Sequence, residues 1–257
     1  MMFSETYKKY TWEFVVENYR MNESYLKFAS RPAIALCETE PKNFICRDLP
    51  YCEYDSIYPV EIMGMGEVTY SEKERYFANA AITLVGTGGY KGYKREEFEY
   101  FSNERVGQAD FAPTKPFPGD AKNINLSPDT YILADMGKNH VGLFEFELDV
   151  KSNTEFFILF DEILVDGVLD PFRLGTSNVF TCIAKPGTYK VVSAEPYGMR
   201  YLKMVARGGE VTVRNFRLIE VAFPVSNVNA QFVSDDKVMK KIYDAAVLTF
   251  RNNTTDI

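Results

Sequence analysis

Residues 142–150, GLFEFELDV, alternate without a break: Phe144, Phe146, Leu148 and Val150 fall on one side, Glu145, Glu147 and Asp149 on the other. A period of two predicts a strand with one buried and one wet face. EFFILF (155–160) is apolar throughout, as a strand covered on both faces would be. NVFTCIA, TYKVVSA, RYLKMVA, EVTVRN and FRLIEVAF are further strand candidates. They are separated by KPG (185–187), EPYG (195–198) and RGG (207–209), all of them turn chemistry. Short strands with evenly spaced turns and no helical pattern between them predict a mainly β fold, an antiparallel sandwich of jelly-roll type.

Upstream the pattern is coarser. FAPTKPFPGDAKNINLSPDT (111–130) carries four prolines and few apolar residues. A boundary is therefore expected there. The predicted division is a β-rich region over 1–110, a linker or long loop over 111–129, and a β-sandwich domain over 130–224. The last part, 225–257, is a linker followed by a helix. TWEFVVE, PAIALCE, SIYPVEI and FANAAITLVG read as strands of the first region, and are candidates to pair with the later sheets.

The period changes near the carboxyl end. Val238, Met239, Ile242, Ala245, Ala246, Thr249 and Phe250 recur every three or four residues, which places them on one side of a helix. Ser234 is the expected N-cap. Asp235 and Asp236 suit the positive end of the helix dipole, and Arg251 suits the other end. From Asp235 to Arg251 the helix would run about 25 Å at about 1.5 Å per residue. One helix with one apolar stripe needs a cover. The stripe is expected to fray after about Phe250, to fold back on the sandwich, or to pair with another copy of the chain, a homo-oligomer through the helix.

Composition narrows the function more than the fold. A formal net charge of -7 leaves no excess of basic residues to neutralise phosphates, which argues against a general affinity for nucleic acid. No apolar run is long enough to span a membrane. The start, MMFSETYKKYTWEF, lacks the basic, apolar and small-residue pattern of a signal peptide, so a cytoplasmic location is expected unless an address has been removed. Cys37, Cys46, Cys52 and Cys182 are too scattered for a disulfide framework or a CxxC zinc pair, and are expected as buried thiols.

Several motifs tempt a catalytic reading. Gly86, Gly88, Gly89 and Gly92 follow a strand-like run, but the spacing departs from GxGxxG and no βαβ context follows, so a glycine-rich hairpin turn is expected. His140 is the single histidine. It cannot build a multi-histidine metal site, no GxSxG elbow exists to pair with it, and an exposed turn position is expected. Asp161, Asp166 and Asp170 do not match a calcium-binding loop. Glu162 and Arg200 each sit at the edge of an apolar run, where a lone charge is costly to bury, so a largely buried ion pair between neighbouring strands is expected. Trp12 and the 17 tyrosines could stack on sugar rings, although most must serve core and loop packing.

DMGKNHVGLFEFEL, LFDEILVDG, KPGTYKVV, MRYLKMV and FVSDDKVMKKIYDAAVLTFRNNTTD, in that order, resemble the bacterial α-L-rhamnosidases and their relatives. The resemblance covers roughly the last half of the chain, and its most specific block is the final one. In that family a β-sandwich precedes an (α/α)6 barrel, so the resemblance implies that the terminal helix begins such a barrel. It also implies a parent enzyme that hydrolyses terminal α-L-rhamnosides by inversion, using two carboxylates of the barrel. No position of this chain matches those carboxylates. The expected chain is thus a non-catalytic sandwich portion, inactive alone, with no catalytic, cofactor or metal residues, meeting rhamnose-containing carbohydrate through its parent. The alternatives are a stand-alone carbohydrate-binding module and a structural interaction sandwich.

Overall fold

The computed structural model describes residues 18–21, 50–71, 106–107, 109–173, 178–224 and 230–254. Eleven strands and one helix are described. They are β1 (Asn18–Met21), β2 (Glu53–Ile57), β3 (Glu61–Tyr70), β4 (Ala109–Phe111), β5 (Asn123–Leu126), β6 (Thr130–Val150), β7 (Thr154–Asp161), β8 (Val179–Ala184), β9 (Gly187–Val192), β10 (Tyr197–Arg207), β11 (Val211–Ala222) and α1 (Lys237–Asn253). Among the described strands, pairing is antiparallel except between β1 and β8. The mainly antiparallel β fold with a terminal helix agrees with the sequence pattern.

The 21-residue β6 organises the sheet. Its first part, Thr130 to Asp135, lies between β10 and β3, and its second, Gly142 to Val150, between β11 and β9. The alternation of GLFEFELDV has the expected outcome. Phe144, Phe146, Leu148 and Val150 are buried, and the opposite face carries ion pairs of Glu145 with Arg217 and Lys190 and of Asp149 with Arg214. Because the sheet curls, the buried face of the second part meets β7 and β8. Phe144 packs edge-on against Phe160 and Phe180, and Phe146 against Phe156 and Phe180. These rings form the main core.

A smaller core lies on the other face of β7 and β10, where Phe157, Leu159 and Val205 join Val68, Tyr131, Leu133 and Leu169. This second cover is why EFFILF has no wet side. Lys203 shares that face. It is 3% exposed, with Nζ 3.8 Å from the Phe111 ring centre and 4.7 Å from that of Tyr131. Burial pushes its pKa down to about 8.

Strands of the first 110 residues do join the later ones: β2 pairs with β11, and β3 with β6. SIYPVEI thus divides between β2 and β3 on either side of Pro59. EVTVRN and FRLIEVAF run together as β11, with a register shift at Asn215, whose φ of 53° breaks the ladder. TWEFVVE, PAIALCE, FANAAITLVG, Trp12, Cys37, Cys46 and the four glycines from Gly86 to Gly92 lie outside the described residues. Cys182 is buried and Cys52 half-buried, and neither is in a disulfide.

Candidate functional site

The most constrained polar cluster among the described residues sits where β6 is interrupted. Met199 of β10 faces His140 and Tyr201 faces Asp135, so residues 136–139 bulge out opposite Arg200 alone. Gly137 turns the bulge with φ of 85°, a left-handed value that costs glycine least. The Asp135 carboxylate fastens its base. It accepts from the Gly137 backbone N–H at 2.7 Å and from Arg200 through Nε and Nη2 at 3.0 and 2.9 Å. The two-pronged Arg200 contact holds the Asp135 carboxyl below the usual carboxylate range.

The far side of the bulge receives the helix. His140 Nδ1 lies 2.5 Å from Glu220 Oε1, and Arg251 Nη2 forms an ion pair with Glu220 Oε2 at 2.9 Å. Glu220 stands on β11 opposite Gly142. The pairing there is close enough that a Cβ on Gly142 would meet the Ile219 carbonyl oxygen at 2.3 Å. Around this carboxylate the last turn of α1 makes three further contacts. Asn252 Nδ2 donates to the Asn139 carbonyl at 2.9 Å, the Phe223 N–H donates to the Arg251 carbonyl at 3.1 Å, and the Phe250 ring meets Phe223 edge-on at 5.7 Å. Glu53 and Asp55 of β2 stand 3.9 and 3.8 Å from the same guanidinium.

Glu220 is 1% exposed and His140 3%. The hydrogen bond from His140, helped by the Arg251 charge, holds the Glu220 carboxyl below its ordinary range despite burial. Such a carboxylate is a poor proton donor, and both its oxygens are occupied. The cluster fastens α1 to β6 and β11.

Three sequence expectations need correction here. His140 is buried, because the bulge turns it towards Glu220. Arg200 pairs with Asp135, since the bulge leaves that carboxylate facing it, and Glu162 is exposed. The buried acid of that loop is instead Asp161, gripped by Arg173 Nε and Nη2 at 2.7 and 2.8 Å. Finally, Asp236 caps the helix, accepting from Val238 and Met239 N–H, while Ser234 Oγ accepts from the Asp236 N–H. Helix α1 accordingly starts two residues later than the pattern indicated. Asp166, with φ of 50°, sits in a turn. Asp170 accepts from the Phe172 N–H. Among the described residues no group of three His, Cys, Asp or Glu is placed to hold a metal, and no helix is long and apolar enough to cross a membrane.

The body of the helix is another matter. Tyr243 stacks on Phe232 at 4.9 Å and its hydroxyl donates to the Ala230 carbonyl. Val238, Met239, Ile242 and Phe250 remain 64, 46, 57 and 49% exposed. The predicted stripe exists and most of it faces water.

No family model and no curated protein matches the chain. Solved structures do match its fold. A GH78 family rhamnosidase of Bacillus sp. GL1 is similar at 19% identity and a TM-score of 0.51, over 68% of this chain and 20% of that one. A rhamnosidase from Klebsiella oxytoca, solved with rhamnose bound, is similar at 15% identity and a TM-score of 0.50, over 80% of this chain and 36% of that one. The chain thus spans about a fifth of the first enzyme and about a third of the second. What it has in common with them is a fold, that of one part of these rhamnosidases.

Proposed function

We propose that the chain is the non-catalytic β-sandwich portion of an α-L-rhamnosidase-like glycoside hydrolase, and that α1 is the first helix of an (α/α)6 catalytic barrel. In this reading 1–110 and 130–224 are β-rich parts divided by the proline-rich stretch 111–129, and 225–257 leads into the barrel. The parent's substrate class is rhamnose-containing carbohydrate.

The observation that carries the reading is a helix fixed rigidly at one end and uncovered along its side. The His140–Glu220–Arg251 cluster sets the direction of α1 through its last turn, while Val238, Met239 and Ile242 face outward. Each such side chain forgoes about 1.5–3 kcal/mol of burial, so a helical neighbour is the natural cover. A non-catalytic role fits the buried acids. Asp135, Asp161 and Glu220 are each bound by a cationic side chain, whereas inversion needs one carboxyl kept protonated and another free to activate water.

The test is Ile242→Glu made in two contexts. In the isolated chain it should change stability by no more than about 0.5 kcal/mol, as exposed substitutions do. In the product of the gene's full reading frame it should cost at least about 2 kcal/mol, because a charge would replace a buried apolar side chain. Equal, small effects in both would overturn the reading.

A further inference from the structure

A cleft of about 690 Å³ opens at the end of the sheet where β6 starts and β10 finishes. Its size lies within the roughly 300–1,000 Å³ of small-molecule sites. One wall is apolar: Met21, Ile183 and Ala184, from the paired strands β1 and β8. The other is polar. Arg207 Nη1 donates to Glu155 Oε2 at 2.9 Å, and the same guanidinium lies 4.6 Å over the Tyr70 ring. Asp129 completes this wall. Its backbone is held in a left-handed turn, φ 55°, and its carboxylate faces the Gly208 N–H at 3.4 Å. The Tyr70 hydroxyl is buried without a hydrogen-bond partner. Burial, and then the Asp129 charge, push its pKa up to about 12, so it stays a phenol with a proton to donate.

Charge selects the ligand. Among the described residues the cleft is lined by two cations, Lys185 and Arg207, and two carboxylates, Asp129 and Glu155, so this lining carries no net charge to favour an ion. A stacked guanidinium paired with a carboxylate presents donors and acceptors side by side, the pattern that a pair of adjacent hydroxyls satisfies. The opposite wall suits the C–H face of the same ring. We propose that this cleft binds a neutral sugar residue, its adjacent hydroxyls held by Arg207, Glu155 and Asp129 and its apolar face laid against Ile183 and Ala184. The proposal goes beyond the reading above by giving the sandwich a sugar site of its own. Only the choice of a rhamnoside as first probe rests on that reading.

The experiment titrates the whole chain with methyl α-L-rhamnoside, methyl α-D-mannoside, methyl β-D-glucoside and D-glucuronate. NMR follows the Gly208 amide and the Ile183 methyl groups up to about 10 mM, which covers dissociation constants near 1 mM. The expected result is saturable shifts at these positions with at least one neutral glycoside. Arg207→Lys and Glu155→Gln should weaken binding about tenfold, since each removes half of the fork. Ile183→Trp, at a position already 36% exposed, should fill the cleft and abolish binding without unfolding the chain. Mannoside or glucoside binding without rhamnoside binding would uphold the cleft while counting against a rhamnoside-directed parent. Three results would overturn the proposal: no neutral glycoside shifting these signals, shifts confined to other parts of the chain, or binding of glucuronate alone.

Discussion

Glu220 is the residue on which the helix attachment turns, since one buried carboxylate serves both His140 and Arg251. Glu220→Gln removes the charge and sets an amide donor in place of one of the two acceptor oxygens, so one of the two partners loses its acceptor. The expected loss is about 3–5 kcal/mol by urea denaturation, the cost of breaking a buried pair from one side. Its pH dependence has a definite sign. A carboxyl held below its unfolded value contributes stability above the ordinary glutamate pKa, about 4.3, and loses it as pH falls through the lower folded value. The parent chain should therefore lose stability below about pH 4, and Glu220→Gln should lose less over the same interval. Lys203 runs the other way. Its folded pKa of about 8 lies below the unfolded value of about 10.4, so the unfolded chain holds the extra proton between them and stability rises with pH across that window. Lys203→Met should stabilise the chain at pH 7 by about 1–3 kcal/mol, the burial cost being only partly offset by the two rings, and should flatten the rise between pH 8 and 10. An unchanged pH profile in Lys203→Met would sink that account. Neither Lys203 nor His140, the partner of Glu220, announced its burial in the sequence. RYLKMVA reads as a strand whether its lysine points to water or into rings, and a single histidine in MGKNHVG resembles any turn histidine.

Elements were more legible, and the reasons are local. Strict alternation located the second half of β6, and the uninterrupted apolar run of β7 anticipated a strand covered on both faces. What alternation could not reveal is a bulge: MGKN interrupts β6 without ending it, and only the register against β10 exposes the four residues that face Arg200 alone. The Glu162–Arg200 expectation failed for that reason. Continuing the pairing of Tyr201 with Asp161 would set Arg200 opposite Glu162, but the bulge offers Asp135 instead. Gly142 tests the same region. Its closeness to the Ile219 carbonyl leaves no room for a side chain, and the obstacle is backbone that cannot rotate away. Gly142→Ala should cost about 1–3 kcal/mol by thermal or urea unfolding, the usual range for overpacking. A neutral substitution would mean that β6 and β11 separate more easily than the lock requires. The sugar cleft was not legible at all, because its walls come from segments as distant in sequence as Met21, Tyr70, Asp129 and Arg207.

For the whole molecule, the account is of a sandwich that orients a helix for something else to use. The motifs resembling α-L-rhamnosidases and the fold found in part of two rhamnosidases arrive by separate routes, one through residues and one through backbone. The exposed stripe on α1 adds a physical demand for a helical cover, and the buried acids among the described residues are committed to cations. The measurement that tests this most directly is release of chromophore from an aryl α-L-rhamnoside by the pure, folded chain, beside the product of the gene's full reading frame. The account predicts turnover with inversion by the full product and none above buffer by the chain alone, since on the proposed reading both carboxylates belong to the barrel. Steady turnover by the isolated chain, abolished by replacing one of its own carboxylates, would contradict it.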